Sequence, residues 1–331
     1  MSDQIKTITE TFPQKTVVII GDLVADQFLN GTISRVSREA PVFILRHDST
    51  NTAPGAAANA AANVASLGGR TILVGLVGDD TSGAALLNEL EASGVRRDRI
   101  VIDPAFSTTT KVRVLAGQHY AARQQVIRID YENSASISAE AKEKLRANLA
   151  ATANEADAII ISDYNYGSVF PEIVADAIAA AGHRGIPLIV DSRYNLESLK
   201  NATTATPNRE EVEQILGKEC TPDDCSSFRT RMGFESLLVT NGNKGMTLFE
   251  AGRPALNIDV VGSSEPVDVT GAGDTVIAAY ALGLASGMSF AESANIANHA
   301  GGIVVMKKGT STVSSSELLE SLSSNAAAFA T

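Results

Sequence analysis

Five short runs decide most of what this chain can become: 16–20 (TVVII), 72–77 (ILVGLV), 158–162 (AIIIS), 187–191 (PLIVD) and 236–240 (SLLVT). They are rich in β-branched residues and apolar at nearly every position, without a period of two. Strand side chains alternate between the two faces of a sheet, so such a run is apolar on both faces and must be covered on both. Stretches of helical period lie between them, near 56–67, 81–93, 138–153, 169–183 and 208–216. Strand and helix alternate over most of the 331 residues. That rhythm predicts an α/β fold: a doubly wound, mostly parallel sheet flanked by helices, in one domain spanning 1–331.

Two stretches break the rhythm. Residues 31–47 (GTISRVSREAPVFILRH) and 107–131 (STTTKVRVLAGQHYAARQQVIRIDY) have no helical period, and strand-like alternation shows in 111–115 and again in 126–130. A small β-lid, inserted as two segments at about 31–48 and 107–131, is the simplest reading; the alternative is an extra edge hairpin on the main sheet. No internal repeat is visible, and the Ser/Ala-rich tail after Ser314 reads as weakly structured. Residues 275–291 carry no charge, but they fall short of about 20 residues and include Gly283, Ser286, Gly287 and Ser289. A helix buried behind the sheet is expected there, not a membrane span.

Charge narrows the partners. The net charge of −11 argues against a nucleic-acid partner, whose affinity rests on clustered Lys and Arg. An acidic protein can still bind an anion where positive potential is local, as at a helix N-terminus. Cys220 and Cys225 are too few for a disulfide framework, and His47, His119, His183 and His299 show no ligand spacing. Near the N-terminus the only apolar run, 17–20, is too short for the core of a signal peptide. Together these features predict a cytoplasmic protein with no membrane partner.

The candidate chemistry sits in loops at strand ends. Gly271-Ala272-Gly273-Asp274 precedes the apolar helix that starts near Thr275. Small residues there let main-chain N–H groups converge on an anion, and the helix dipole adds positive potential. An ionised Asp274 could take the proton of an attacking hydroxyl, or simply complement the dipole of a loop-to-helix junction. Neither a G-x-x-x-x-G-K-[ST] loop nor the glycine spacing of a dinucleotide fingerprint occurs. Instead, the first strand leads into Gly21-Asp22-Leu23-Val24-Ala25-Asp26, which places two carboxylates just past its C-terminal end. Asp26 reads either as a ligand for sugar hydroxyls or as a turn residue. Pro54-Gly55-Ala56-Ala57-Ala58-Asn59 opens a tightly packed helix in which Asn59 offers a donor and an acceptor. Asn208 and Glu211 share one helical face, so they could arrange magnesium waters or phosphate, form a capping box, or do both. Thr240-Asn241-Gly242-Asn243-Lys244-Gly245 is a tight turn whose backbone could approach a nucleotide.

Taken in order, Asp26, Gly55 to Asn59, Asn208-x-x-Glu211, Thr240-x-Gly242-x-x-Gly245 and Gly271-Ala272-Gly273-Asp274 resemble the ribokinase (PfkB-type) family of carbohydrate kinases, over about residues 16 to 315. The resemblance implies an ATP- and Mg²⁺-dependent phosphotransferase acting on a sugar or sugar phosphate, with a β-lid above it. It makes Asp274 the general base and Gly271, Ala272 and Gly273 the anion hole. It assigns Asp26, Gly55 and Asn59 to sugar hydroxyls, Asn208 and Glu211 to Mg-ATP (Glu211 through water), and Thr240, Gly242, Gly245 and Asn298 to the nucleotide. Asp268 and Thr270 resemble a monovalent-cation (K⁺) loop that not every member uses. Lid edges in this family often pair between subunits, which makes a homodimer an expectation that no residue here dictates.

Within the family, 34–42 (SRVSREAPV), 110–115 (TKVRVL), Ser162-Asp163-Tyr164 and 308–313 (KGTSTV) are similar to the branch that phosphorylates C1 of D-glycero-β-D-manno-heptose 7-phosphate. On that likeness Lys111, Arg113, Arg128 and Arg193 would recognise the distal phosphate, and Asp163 would face the substrate. The chain departs from the pattern at Ala56, where a second glycine is usual. It departs again at Tyr166 and Ser192-Arg193, which replace a Lys and a Pro-Lys, and 117–123 looks longer than usual. Many of those kinases are fused to a nucleotidyltransferase carrying H-x-G-H; lacking that motif, this chain resembles the stand-alone form. A ribokinase- or fructokinase-like sugar is the alternative substrate, and a non-catalytic sugar- or nucleotide-binding regulator the alternative class.

Overall fold

The computed structural model describes residues 2–118, 123–133, 137–263 and 265–328, so His119 lies outside the described residues. The main sheet grows outward from β1 (Thr16–Gly21). Its four side chains Val17 to Ile20 are all buried, alternately within one apolar cluster and the other. Val17 and Ile19 pack with the helices Ala57–Ser66, Ala272–Ala285 and Phe290–Val304. Val18 and Ile20 pack with Ala139–Thr152 and Pro171–Arg184. Each such side chain contributes roughly 1.5–3 kcal/mol by leaving water, which is why the sheet needs helices on both faces.

Among the described residues, nine strands make up this sheet. β4 (Arg70–Gly78) lies beside β1, and β5 (Ile100–Asp103) lies at the edge beyond it. On the other side follow β8 (Ala158–Asp163), β9 (Leu188–Ser192), the two-residue β10 (Thr204–Ala205) and β11 (Ser236–Thr240). All these pairings are parallel; the antiparallel β12 (Met246–Glu250) and β13 (Leu256–Ile258) complete the far edge. The fold is ribokinase-like.

A second sheet has the order β3-β2-β6-β7, from β2 (Leu23–Val36), β3 (Phe43–Ala56), β6 (Thr110–Gly117) and β7 (Gln124–Tyr131). Its first segment reaches well beyond 31–48 on both sides. The buried start of β2, Leu23-Val24-Ala25-Asp26, continues straight up from the main sheet, and β3 pairs with it down to Ala56. Asp26 is therefore a strand residue, four positions past Asp22, and not a loop carboxylate as the sequence implied.

Two further expectations need correction. The tail after Ser314 is a helix, Ser315–Ala328, whose Leu318 and Leu322 are buried in the core. Its Ser/Ala content hid a start in which Glu317 accepts from Ser314 N and Oγ. The uncharged stretch 275–291 is two helices, not one. Ala272–Ala285 ends at Ser286, the chain turns at Gly287 (φ 82°), and Phe290–Val304 begins under a Ser289–Glu292 capping box. Among the described residues no helix is long and apolar enough to cross a membrane.

Candidate active site

The site lies at the C-terminal ends of β1, β8 and β9, where open α/β sheets bind their ligands. Asp274 stands in the first turn of Ala272–Ala285 and is 3% exposed. One carboxylate oxygen accepts from Asn59 Nδ2 at 2.8 Å, the other from the Tyr164 hydroxyl at 2.9 Å. Burial pushes its pKa up to about 7 against the opposing pull of these two bonds; the charge of Asp26 raises it further and that of Lys111 lowers it.

Asn59 is fixed on every side. Its amide also donates to Gly271 O (3.3 Å), and its oxygen accepts from Asn63 (3.1 Å), which sits one helical turn on. Asn59, which the resemblance assigned to sugar hydroxyls, is 1% exposed and braces Asp274. Gly271 makes this possible. Its φ of 75° suits glycine, and a β-carbon there would collide with the Asn59 amide. Ala272 turns its N–H back to Val269 O (3.2 Å), which removes one of the three donors expected in an anion hole.

Asp26 is buried at the base of the lid sheet. It pairs with Arg113 on β6 and accepts from Thr310 Oγ1 at 3.0 Å. Gly55 pairs with Val24 on the neighbouring strand, and a β-carbon there would come within 2.8 Å of the Asp26 carboxylate. Ala56 follows with φ 56° and ψ −131°, a backbone state that costs a non-glycine residue about 1–3 kcal/mol. Lys111 places its ammonium 5.8 Å from the Tyr164 ring and 5.6 Å from the Tyr166 ring. Burial lowers its pKa, with Asp26 and Asp130 opposing.

Other predicted substrate residues sit differently. Asp163 is buried and anchors a loop, accepting from Asn165 N (2.9 Å) and Ser192 Oγ (2.7 Å). Arg128 is exposed and forks onto Asp130 (2.9 and 3.0 Å). Arg193 is exposed beside the Tyr194 ring, and its charge offsets the burial that raises Glu211.

Of the residues expected to serve the nucleotide, Asn208 and Glu211 form the capping box: each side chain accepts from the other's main-chain N–H at 2.9 Å. Asp191, at the end of β9, was missed in the sequence because it looked like an ordinary strand terminus. Burial, then the charges of Glu211, Asp274 and Asp163, hold its carboxyl well above the ordinary value. Thr240, Gly242, Gly245 and Asn298 line one mostly apolar cavity of about 180 Å³, and Ala272 and Gly273 close its floor. Asn298 itself is 3% exposed and donates to Asp259 O at 2.7 Å. Asp268 accepts from Thr270 N and Gly309 N, both at 2.9 Å; burial would raise its pKa, but these bonds lower it. It holds the turn that delivers the Gly271 loop.

A buried carboxylate at a helix start, with an apolar cavity on one side and a cation-bearing β-sheet on the other, defines a phosphotransferase acting on a hydroxyl. The chain belongs to the pfkB family of carbohydrate kinases, whose signature matches residues 14–317. It is 37% identical over 98% of its length to the bifunctional protein HldE of Caulobacter vibrioides, of which it covers 67%. It is 38% identical over 95% of its length to that of Azorhizobium caulinodans, of which it covers 66%. The chain thus spans about two thirds of the length of these relatives. Among solved structures it is similar to Arabidopsis thaliana ribokinase complexed with ribose and ATP (TM-score 0.70, 23% identity, 93% of this chain and 98% of that one). It is also similar to Escherichia coli phosphofructokinase-2 in complex with potassium (TM-score 0.75, 18% identity, 94% and 99%).

Proposed function

We propose that this kinase uses ATP to phosphorylate the anomeric hydroxyl of a phosphorylated heptose, D-glycero-β-D-manno-heptose 7-phosphate, with Asp274 as general base. The observation that carries the base is its geometry: a buried carboxylate with a pKa near 7, held by two donors at a helix N-terminus. A base poised at the working pH is half available and still strong enough to take a proton. The hydroxyl O–H bond breaks toward Asp274 as the sugar oxygen bonds the γ-phosphorus. The bond to the β-phosphate oxygen breaks, and its electron pair leaves with ADP. N–H groups of the first helical turn, at Gly273 and Asp274, are suited to the charge developing on the transferred group.

The nucleotide belongs in the apolar cavity behind Gly273, beside Thr240, Gly242 and Gly245. Asp191 and Glu211 suit a hydrated Mg²⁺ in their chemistry. Both are oxygen donors whose pKa values are raised chiefly by burial, and at Asp191 also by neighbouring carboxylates, so a divalent ion would stabilise their charged forms. The ion would neutralise phosphate charge; we assign no step to a monovalent cation.

Support for an anionic acceptor comes from the lid. Asp26 and Gly55 lie where sugar hydroxyls would meet β2 and β3, with Lys111 beside them. Arg113, Arg123 and Lys308 line an adjoining cavity of about 540 Å³ with Phe28 and Asn51. The sugar's identity rests on the lid-sequence likeness to the heptose 7-phosphate kinases. The same reading places the reaction in the cytoplasm, where ATP is available. It pairs two copies through lid edges such as β7, which exposes Val126, Ile127, Ile129 and Tyr131.

The test is ADP release across heptose 7-phosphate, fructose 6-phosphate, fructose and ribose, with and without Mg²⁺. Heptose 7-phosphate should give the highest kcat/KM. Turnover of ribose or fructose with none on heptose 7-phosphate would remove the substrate assignment while leaving the kinase chemistry intact.

A further inference from the structure

Tyr164 bridges the base and the lid. Its hydroxyl makes one hydrogen bond among the described residues, to Asp274 at 2.9 Å, while its ring carries the lid's Lys111 at 5.8 Å. The loop that presents it is built for rigidity. Asp22, 1% exposed, accepts from three main-chain N–H groups at 2.9–3.0 Å: Tyr164, Tyr166 and Ser168. Asp163 fixes the same loop through Asn165 N, and both Asn165 (φ 63°) and Gly167 (φ 103°) take left-handed turns. A buried carboxylate that spends its oxygens on three N–H groups of a five-residue turn sets the position of that turn, and so of the phenol it carries.

We propose that Tyr164 is a positioning residue of phosphoryl transfer: its hydroxyl orients the Asp274 carboxylate and favours its ionised form, with Asp22 setting the loop that delivers it. This inference rests on Asp274 acting as the base. Asn59 braces one carboxylate oxygen and is itself locked to Gly271 and Asn63, so it can fix the Asp274 group at only one point. A second donor on the other oxygen removes rotation about the side chain and leaves one lone pair of each oxygen for the substrate. The other charged groups facing Asp274 come from three elements: Asp26 from β2, Lys111 from β6 and Asp191 from β9. Asp26 and Asp191 disfavour the carboxylate and Lys111 favours it. Tyr164 remains un-ionised beside it, because burial and the Asp274 charge hold the phenol well above its ordinary pKa. It therefore acts as a hydrogen-bond donor throughout and never as the base.

The experiment is Tyr164→Phe, assayed for kcat and both KM values from pH 5.5 to 9.5. Loss of one bond to a charged acceptor predicts a fall in kcat of about tenfold at pH 7, with KM values within about twofold. It also predicts an acid limb of kcat moved up by about one pH unit, so that the deficit shrinks above pH 9. A structural role alone would lower activity at every pH without moving the limb, and an unmoved limb overturns the proposal. Carboxyl-region infrared titration of wild type and Tyr164→Phe, each differenced against Asp274→Asn, reads the same shift without turnover. An Asp274 signal that titrates identically in both proteins also overturns it. Asp274→Asn separates the two readings. If that variant turns over normally, the base assignment itself fails; if it is inactive and the Tyr164→Phe limb is unmoved, only the role of Tyr164 fails.

Discussion

Two glycines two residues apart should respond to alanine in opposite ways. At Gly271 the new β-carbon faces a left-handed φ of 75° and collides with the Asn59 amide. The backbone state costs about 1–2 kcal/mol, and displacing Asn59 from a charged acceptor costs roughly 1.5–3 kcal/mol more. Together these come to at least about 2.5 kcal/mol. For 331 residues the unfolding entropy is about 0.7 kcal/mol/K, so Gly271→Ala should melt about 4 °C lower. At Gly273 a β-carbon meets nothing within 4 Å and the backbone is already helical. Alanine there should raise the melting temperature by about 1 °C, through the roughly 0.5 kcal/mol that Gly costs inside a helix. Both variants should nevertheless lose kcat. Gly271→Ala loses about ten- to hundredfold because Asn59 no longer braces the base. Gly273→Ala should lose activity because, on the proposed placement of ATP, the methyl would crowd the transferred phosphoryl group beside the cavity that Gly273 lines. Differential scanning calorimetry on the apo proteins and ADP-release kinetics decide the matter. A Gly271→Ala protein that melts with wild type would refute the collision argument, and a fully active Gly273→Ala would place the transferred group elsewhere.

Two other perturbations follow from the charges. Asp274→Asn should lose several orders of magnitude in kcat while still binding ATP by calorimetric titration. It should also unfold at higher temperature than wild type at pH 8. The folded carboxyl titrates near 7 and the unfolded one near 3.8, so wild-type stability declines as pH rises between those values, by as much as about 4 kcal/mol, and Asn escapes the decline. Equal melting of the two proteins at pH 8 would contradict a raised pKa. Arg113→Ala should cost about 3 kcal/mol and raise the sugar KM at least about tenfold, because it leaves the buried Asp26 with Thr310 alone. Arg113→Lys should recover part of both, and denaturant melts with sugar-dependent kinetics read them together.

How much of this could be read from the sequence depended on the range of the signal. The strands of the parallel sheet were legible because burial on both faces writes itself into consecutive residues such as Val17 to Ile20. Asp274 was legible because Gly-Ala-Gly-Asp is a local arrangement. Asn208 and Glu211 were legible as a capping box, since both bonds close within one turn. The partners of Asp274 were not. Asn59 looked like a residue facing a ligand because nothing near it in sequence reveals that it meets a carboxylate 215 positions away. Asp22 read as a possible ligand because it follows a strand end, and Asp163 because of the family likeness, yet both hold loops. Asp191 read only as the end of a strand, and Tyr164 only as part of the Ser162-Asp163-Tyr164 likeness, with nothing to reveal its bond to Asp274. The lid was legible where polar and apolar residues alternate, at 111–115 and 126–130, and not at 23–30, where β2 leaves the body of the protein through the buried run Leu23 to Asp26.

The bracing of Asp274 has a consequence for how the protein comes to life on the ribosome. Its two donors are synthesised first, Asn59 on an early helix and Tyr164 110 residues before the base they serve. The helix that bears Asp274 packs against Ala57–Ser66, and Asn63 in turn binds the N–H of Val313, 250 residues later. A nascent chain can therefore hold the early strands of its sheet and all four lid strands before Asp274, the proposed base, has been made. Competence arrives in one late step, when the last third of the chain docks its apolar helices. Contacts of such long separation also close slowly. Catalytic activity in this molecule is consequently a stricter report of complete folding than any spectroscopic measure of helix or sheet.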